Sequence, residues 1–95
     1  MGISKLFNDF KIAETESFQK NLKKINSTKI YSRIKTIVYP QLKKNPYFGP
    51  NIKKLKGEYE GFYRFRISDY RLFYSIDNEK IIVFILALKK RKDAY

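Results

Sequence analysis

The chain has 95 residues and a formal net charge of +12, with 21 Lys and Arg residues against nine Asp and Glu. It contains no Cys and no His, which excludes disulfides, thiolate zinc sites and imidazole-based catalysis. The charge predicts an anionic partner, which could be nucleic acid, an anionic membrane surface or an acidic protein segment. A chain of this length predicts a single domain over residues 1–95.

The sequence offers no membrane or export signal. Its longest apolar run is eight residues, Ile81 to Leu88, which is too short to cross a bilayer. The first ten residues lack the apolar core of a signal peptide. We therefore expect a cytoplasmic protein with no membrane partner.

The first half of the chain predicts a strand and a helical hairpin. Leu6 to Ala13 is read as the first strand, and Thr15 as the cap of a helix whose apolar stripe is Phe18, Leu22 and Ile25. Asn26 and Ser27 end that helix, and Ser27 or Thr28 can cap the next one. A second helix is predicted to bury Ile30, Ile34, Ile37 and Val38, with Pro40 kinking or ending it. Residues 45–57 are expected to be a loop.

The stretch from Phe62 to Leu88 predicts three antiparallel strands. If Ser68 and Asp69 form a two-residue turn, Ile67 pairs with Tyr70 and Arg66 lies opposite Arg71. The third strand, Ile81 to Leu88, is apolar without alternation, as expected of a central strand covered on both faces.

These elements predict an α+β fold: an N-terminal strand, a helical hairpin and a three-stranded meander in a four-stranded sheet. The helices are expected to cover the face that carries Tyr63, Phe65, Ile67, Leu72, Tyr74, Val83 and Ile85. The other face is expected to stay open.

Cations concentrate on that open face and at its edges. Arg64, Arg66 and Arg71 share it, and two arginines directly opposite each other repel, so an anionic ligand is the better explanation than a solvated face. A second basic group follows the third strand: Lys89, Lys90, Arg91 and Lys92. A third group, in the loop, consists of Lys53, Lys54 and Lys56. Tyr95 ends the chain, either frayed or able to stack on a base or exchange a proton.

Other kinds of chemistry have little support. Glu58 and Glu60 lie close together in the sequence, and no other acidic residues obviously converge on them, so two-metal phosphodiester chemistry is not expected. The chain has no glycine-rich phosphate loop. We therefore expect neither a metal nor a cofactor.

Three segments resemble the RelE toxins of bacterial type II toxin–antitoxin modules. They are Leu55 to Gly57, Gly61 to Asp77, and the closing LKKRKDAY. The family's recurring positions correspond here to Tyr63, Arg64, Arg66, Tyr70, Arg71, Lys90, Arg91 and Tyr95. The resemblance covers the last forty or so residues closely, and the first fifty only in their helical-hairpin layout.

The resemblance implies a microbial RNase-like fold and metal-independent cleavage of mRNA on the ribosome, by attack of the RNA's own 2′-OH on phosphorus. It implies catalytic roles for Arg64, Arg66, Arg71, Lys90, Arg91 and Tyr95. The remaining lysines, Lys53, Lys54, Lys56, Lys89 and Lys92, would bind RNA. The implied partners are the ribosome, mRNA and a cognate antitoxin with an acidic toxin-binding segment.

Within that resemblance, Arg71 would stabilise the phosphorane and Arg91 would attend the leaving group. Arg64 and Arg66 stand where close relatives have lysines, and arginine is a poor base. The base would then be Tyr95, Lys90 or a loop lysine such as Lys54.

Two alternatives stay open. The ParE branch of the same fold inhibits DNA gyrase, and a basic RNA-binding module without catalysis would also fit the charge.

Overall fold

The computed structural model describes residues 9–93. The helical elements are α1 (Glu16–Ile25), α2 (Thr28–Arg33), a π-helical turn (Ile34–Val38), α3 (Tyr39–Lys44) and two 3₁₀ turns (Gly57–Tyr59 and Arg91–Asp93). The strands are β1 (Lys11–Glu14), β2 (Ile52–Lys54), β3 (Phe62–Ile67), β4 (Tyr70–Asp77) and β5 (Ile82–Lys90). Within the described range, no helix has the length and apolarity to cross a membrane.

The helical hairpin forms where its caps predict it. The Thr15 hydroxyl accepts a hydrogen bond from the Phe18 amide at 3.2 Å and so caps α1. Asn26 ends α1 in the left-handed conformation, with φ of 53°. The Ser27 hydroxyl then accepts from the Ile30 amide at 3.2 Å and starts α2.

A π-helical turn separates α2 from α3 in what is otherwise one continuous helix. Pro40 has no N–H, and the Tyr39 amide donates to the Ile34 carbonyl five residues back. The extra residue in this turn rotates Ile37 away from the core, so Ile37 is 48% exposed. The prediction that Ile37 is buried was wrong, while Ile30, Ile34 and Val38 are buried as expected.

The sheet has five strands in the order β1-β5-β4-β3-β2, rather than the four predicted. β1 is parallel to β5, and the other neighbours are antiparallel. The additional strand, β2, lies in the segment expected to be a loop and pairs its three residues with Phe65, Arg64 and Tyr63. β1 begins at Lys11 and ends at Glu14, and residues 6–8 of the predicted strand lie outside the described range. The α+β class is confirmed.

The core lies between the helices and one face of the sheet. All seven sheet residues predicted for this face are buried, and they join helix residues that include Phe18, Ile34, Val38 and Leu42. Tyr63 and Tyr74 stack with ring centroids 5.5 Å apart, and the Tyr74 hydroxyl donates to the Pro46 carbonyl at 2.7 Å. The sequence pattern therefore identified the helix-covered face correctly.

β5 is an interior strand, but only one of its faces is fully covered. Val83, Ile85 and Leu88 are buried, whereas Phe84 and Leu86 are only half-buried. The expectation of cover on both faces was wrong for this part of the chain.

Glu14 ties β1 to the helical hairpin. Its carboxylate accepts hydrogen bonds from the hydroxyls of Tyr31, at 2.8 Å, and Tyr39, at 2.7 Å. Burial raises the pKa of both hydroxyls, and the bond to Glu14 raises it further. This cluster lies on the helix-covered side and holds a parallel edge strand of only four residues in place.

Candidate functional site

The β3–β4 hairpin brings the predicted arginines together. Ser68 and Asp69 form the turn, with Ser68 at φ of 51°. The register pairs Ile67 with Tyr70 and Arg66 with Arg71, as the sequence predicted. Arg71 also lies opposite Lys89 of β5, so three cations stand side by side across the sheet.

A concavity of about 500 Å³ opens beside this turn. Four arginines line it, and we call it the arginine pocket: Arg33, Arg66, Arg71 and Arg91. Asn51, Ser68 and Asp69 complete its polar wall, and Ile37 adds an apolar edge. The pocket is therefore bounded by the helix, the hairpin and the start of the C-terminal 3₁₀ turn.

Hydrogen bonds hold three parts of the arginine pocket in place, which are the C-terminal segment, Arg33 and Arg71. The Arg91 amide donates to the Asp69 carbonyl at 2.7 Å, which docks the C-terminal segment on the hairpin turn. Arg33 Nη1 donates to the Ser68 hydroxyl at 2.9 Å. Arg71, only 6% exposed, donates from Nη1 to the Tyr70 carbonyl at 3.0 Å. The arginine pocket is thus held by backbone and side-chain contacts from separate parts of the chain.

The pocket is electrostatically unbalanced. Asp69 is its only carboxylate-bearing lining residue in the part of the chain that the structure describes. Four guanidinium groups around one cavity favour an anionic ligand, because arginine's planar fork matches the oxygens of phosphate.

A β-bulge divides the basic run that follows β5. The pairing shifts between Phe73 and Tyr74 of β4, and the residue left over on β5 is Leu86. Lys89 then lies opposite Arg71 on the open face, whereas Lys90 lies opposite Tyr70 on the helix side. Lys90 lines a separate concavity of about 540 Å³ with Lys24 and Lys92. The structure therefore does not bring Lys90 and Lys92 into the arginine pocket.

The loop lysines lie along a third concavity on the open face. Lys53, Lys54, Lys56 and Lys89 rim a groove of about 470 Å³ whose floor is apolar, and we call it the apolar groove. Its floor and walls include Leu55, Tyr59, Phe62, Phe73 and Ala87. Arg64 pairs with Phe73 and with Lys53 and is half-buried between the groove and the arginine row.

Tyr95 lies outside the described residues, so its predicted role rests on the sequence. Arg33 is the one arginine of the pocket that the sequence did not mark as a site residue. No local motif marks it, because its place in the pocket depends on how the helix packs against the hairpin turn.

Comparison with known proteins identifies the family. Residues 12–95 match the family described as the ParE toxin of type II toxin–antitoxin systems, parDE. No curated protein sequence matches the chain.

Solved structures share the fold. The RelBE2 toxin–antitoxin complex of Mycobacterium tuberculosis contains a chain that is 27% identical, with a TM-score of 0.77 over 90% of this chain and 95% of that one. The archaeal RelE–RelB complex of Pyrococcus horikoshii contains one that is 26% identical, with a TM-score of 0.68 over 90% and 99%. A mutant of E. coli RelE in the free state is 22% identical, with a TM-score of 0.72 over 90% and 87%, and shows the same fold.

The family match spans most of the chain, and the solved structures that share the fold include RelBE and RelE–RelB complexes. The chain belongs to the ParE toxin family, within the RelE/ParE superfamily of toxins from type II toxin–antitoxin systems.

Proposed function

We propose that this toxin is a metal-independent endoribonuclease that cleaves mRNA on the ribosome. The observation that carries the proposal is the arginine pocket, where Arg33, Arg66, Arg71 and Arg91 surround one cavity on the open side of the fold. In the reaction, the 2′-oxygen attacks the adjacent phosphorus and the 5′-oxygen of the next nucleotide leaves. The products are a 2′,3′-cyclic phosphate, or the 3′-phosphate formed when it hydrolyses, and a 5′-OH.

The arginines supply charge stabilisation rather than a base. Arg71, at the inner wall, stabilises the charge that develops on the phosphorane oxygens. Arg91 attends the leaving 5′-oxygen, and its backbone bond to Asp69 fixes its position. Arg66 and Arg64 bind the approaching strand from β3.

The sequence left three candidates for the general base, which are Tyr95, Lys90 and Lys54. Lys90 lies on the helix side of the sheet and Lys54 on the rim of the apolar groove, both away from the lining of the arginine pocket. This placement favours Tyr95 as the base among the three residues considered. Tyr95→Phe then loses as much cleavage as Tyr95→Ala. If Tyr95→Phe retains activity while Tyr95→Ala does not, the ring stacks on a nucleotide and the base lies elsewhere.

The cognate antitoxin, in our proposal, places an acidic and apolar segment in the apolar groove. The groove combines an apolar floor with a rim of Lys53, Lys54, Lys56 and Lys89, which suits such a segment. The relatives in the RelBE2 and archaeal RelE–RelB structures are complexes of a toxin with its antitoxin. Phe62→Asp puts a negative charge at this groove and is expected to weaken antitoxin binding while cleavage continues.

A second candidate function is inhibition of DNA gyrase, favoured by the match to the ParE family. One experiment separates the two. After induced expression, 5′ ends of translated messages are mapped while gyrase supercoiling is assayed in the same cells. New 5′ ends inside reading frames, with gyrase active, support the ribonuclease. Growth arrest with intact mRNA and inhibited gyrase supports the second candidate.

A further inference from the structure

The arginine pocket carries more positive charge than one reacting phosphate needs. Even when the buried Arg71 is left out, its lining within residues 9–93 has three arginines and one carboxylate, Asp69, so the cations there exceed the anions by two. A phosphodiester brings a single negative charge. The surplus indicates a ligand with more than one phosphate.

Arg33 lies where it can bind a second phosphate. It stands on the helical wall, at the last residue of α2, whereas Arg66, Arg71 and Arg91 come from the hairpin and the C-terminal segment. Its guanidinium has five N–H donors, and one of them bonds to the Ser68 hydroxyl at 2.9 Å. Ser68 is its one hydrogen-bond partner among the described residues, so this residue of the pocket lining keeps donors for a ligand.

The lining next to Arg33 favours a nucleotide chain over a small inorganic anion. Ile37 borders the pocket and is 48% exposed because the π-helical turn rotates it outward. An apolar side chain beside a guanidinium suits a ligand that has a sugar or base between its charges. A single strand meets this requirement, because its bases are free to contact protein.

We infer that Arg33, oriented by the Ser68 hydroxyl, binds the phosphate adjacent to the scissile phosphate of a single-stranded RNA. This inference rests on the proposed function for the identity of the ligand. Arg33 is then a substrate-binding residue that fixes the register of the strand.

The test measures binding rather than cleavage. The probe is a 2′-O-methyl RNA trinucleotide, whose blocked nucleophile prevents reaction, together with two versions in which one of its two phosphates is a neutral methylphosphonate. The proteins are wild type, Arg33→Ala, Arg33→Lys and Lys29→Ala, all checked for an unchanged melting temperature. Lys29 is the matched control, because it is an exposed cation one turn earlier on the same helix and does not line the pocket.

We expect Arg33→Ala to weaken binding of the unmodified probe roughly tenfold, a loss typical of one partly exposed charged hydrogen bond. Arg33→Lys, which keeps the charge without the fork, is expected to fall between Arg33→Ala and wild type. One methylphosphonate should weaken wild-type binding by a similar factor and leave Arg33→Ala binding almost unchanged, so that the two changes are coupled.

Two results overturn the inference: an equal loss in Arg33→Ala and Lys29→Ala, or losses that add independently for both methylphosphonates. No measurable binding of the probe to wild type also overturns it. If the coupling is found but wild type cuts no RNA, the proposed function fails while Arg33 stands as a phosphate ligand.

Discussion

The two faces of the sheet differ in how their side chains interact. On the helix-covered face, apolar residues alternate into one core, tyrosines stack, and the Glu14 carboxylate accepts from two hydroxyls. On the open face, Arg66, Arg71 and Lys89 stand side by side. Like charges directly opposite each other on a sheet are destabilising. Stability explains the first face, and in our proposal the RNA substrate explains the second.

The difference also separates the residues that a variant can disturb. Changes on the helix-covered face should appear in the free energy of unfolding, and changes on the open face in RNA cleavage.

Truncating Phe65 should cost the most stability. Phe65 is 1% exposed in the core, and Phe65→Ala removes a buried ring, with an expected loss of about 3–5 kcal/mol. The neighbouring Arg66 lies on the open face, so Arg66→Ala serves as the control and should change unfolding by about 0.5 kcal/mol or less. Urea unfolding of both proteins measures the contrast. Equal losses would mean that the two faces are not distinct.

Replacing Arg71 should reduce cleavage more than stability, whereas replacing Phe65 should chiefly reduce stability. Arg71→Leu removes the stabilisation of the phosphorane, and cleavage should fall about a hundredfold to a thousandfold, or about 2.7–4 kcal/mol in the barrier. The free energy of unfolding should fall by less than in Phe65→Ala, because relief of repulsion with Arg66 offsets part of what is lost with the contacts of Arg71, which include its bond to the Tyr70 carbonyl. Melting temperature and cleavage are measured on the same preparation. An unfolded Arg71→Leu protein would assign the arginine a structural role.

Replacing Glu14 tests how much its hydrogen bonds on the helix-covered face contribute to stability. Glu14→Leu leaves the Tyr39 hydroxyl buried without its acceptor, at an expected cost of about 1–3 kcal/mol. Glu16→Leu is the matched control, because Glu16 is exposed and its pair with Lys20 is a surface pair worth a few tenths of a kcal/mol. Cleavage should be normal in both proteins wherever they are folded. A loss of cleavage in a folded Glu14→Leu protein would connect the two faces.

Alkaline pH should weaken the same cluster. Burial and the bond to Glu14 raise the pKa of Tyr39 in the folded protein, while the unfolded chain has a tyrosine pKa of about 10. Tyr39 therefore contributes its stability fully below about pH 10, and the contribution is lost as pH rises above that value, because the unfolded chain releases the proton first. Unfolding free energies between pH 8 and roughly pH 11.5 should fall less steeply in Tyr39→Phe than in wild type.

Local patterns predicted much of this fold. The hairpin register from Ile67 to Tyr70 follows from a two-residue turn and a period of two, and both hold in the structure. The caps at Thr15 and Ser27 place the helices because each motif is complete within four residues.

What the sequence did not predict depends on contacts between distant segments. β2 has three residues and no alternation, and it is a strand only because β3 lies beside it. The bulge at Leu86 decides the side of Lys89 and Lys90, and the π-helical turn decides the exposure of Ile37. Arg33 and Ser68 are 35 residues apart and meet only after the helix packs on the hairpin. The sequence therefore predicted the part of the arginine pocket that the hairpin forms, with Arg66 and Arg71. It did not predict the part that the helix forms, with Arg33.

Cleavage of an mRNA with one altered sugar tests whether the RNA's own 2′-oxygen is the nucleophile. Purified toxin is added to ribosomes paused on a message that carries either a ribose or a 2′-deoxyribose at the mapped cleavage position. If the open face catalyses attack by the 2′-oxygen, the ribose message gives a fragment with a 5′-OH and the deoxyribose message is not cut at that position. Equal cleavage of both messages, or a product with a 5′-phosphate, would contradict the account.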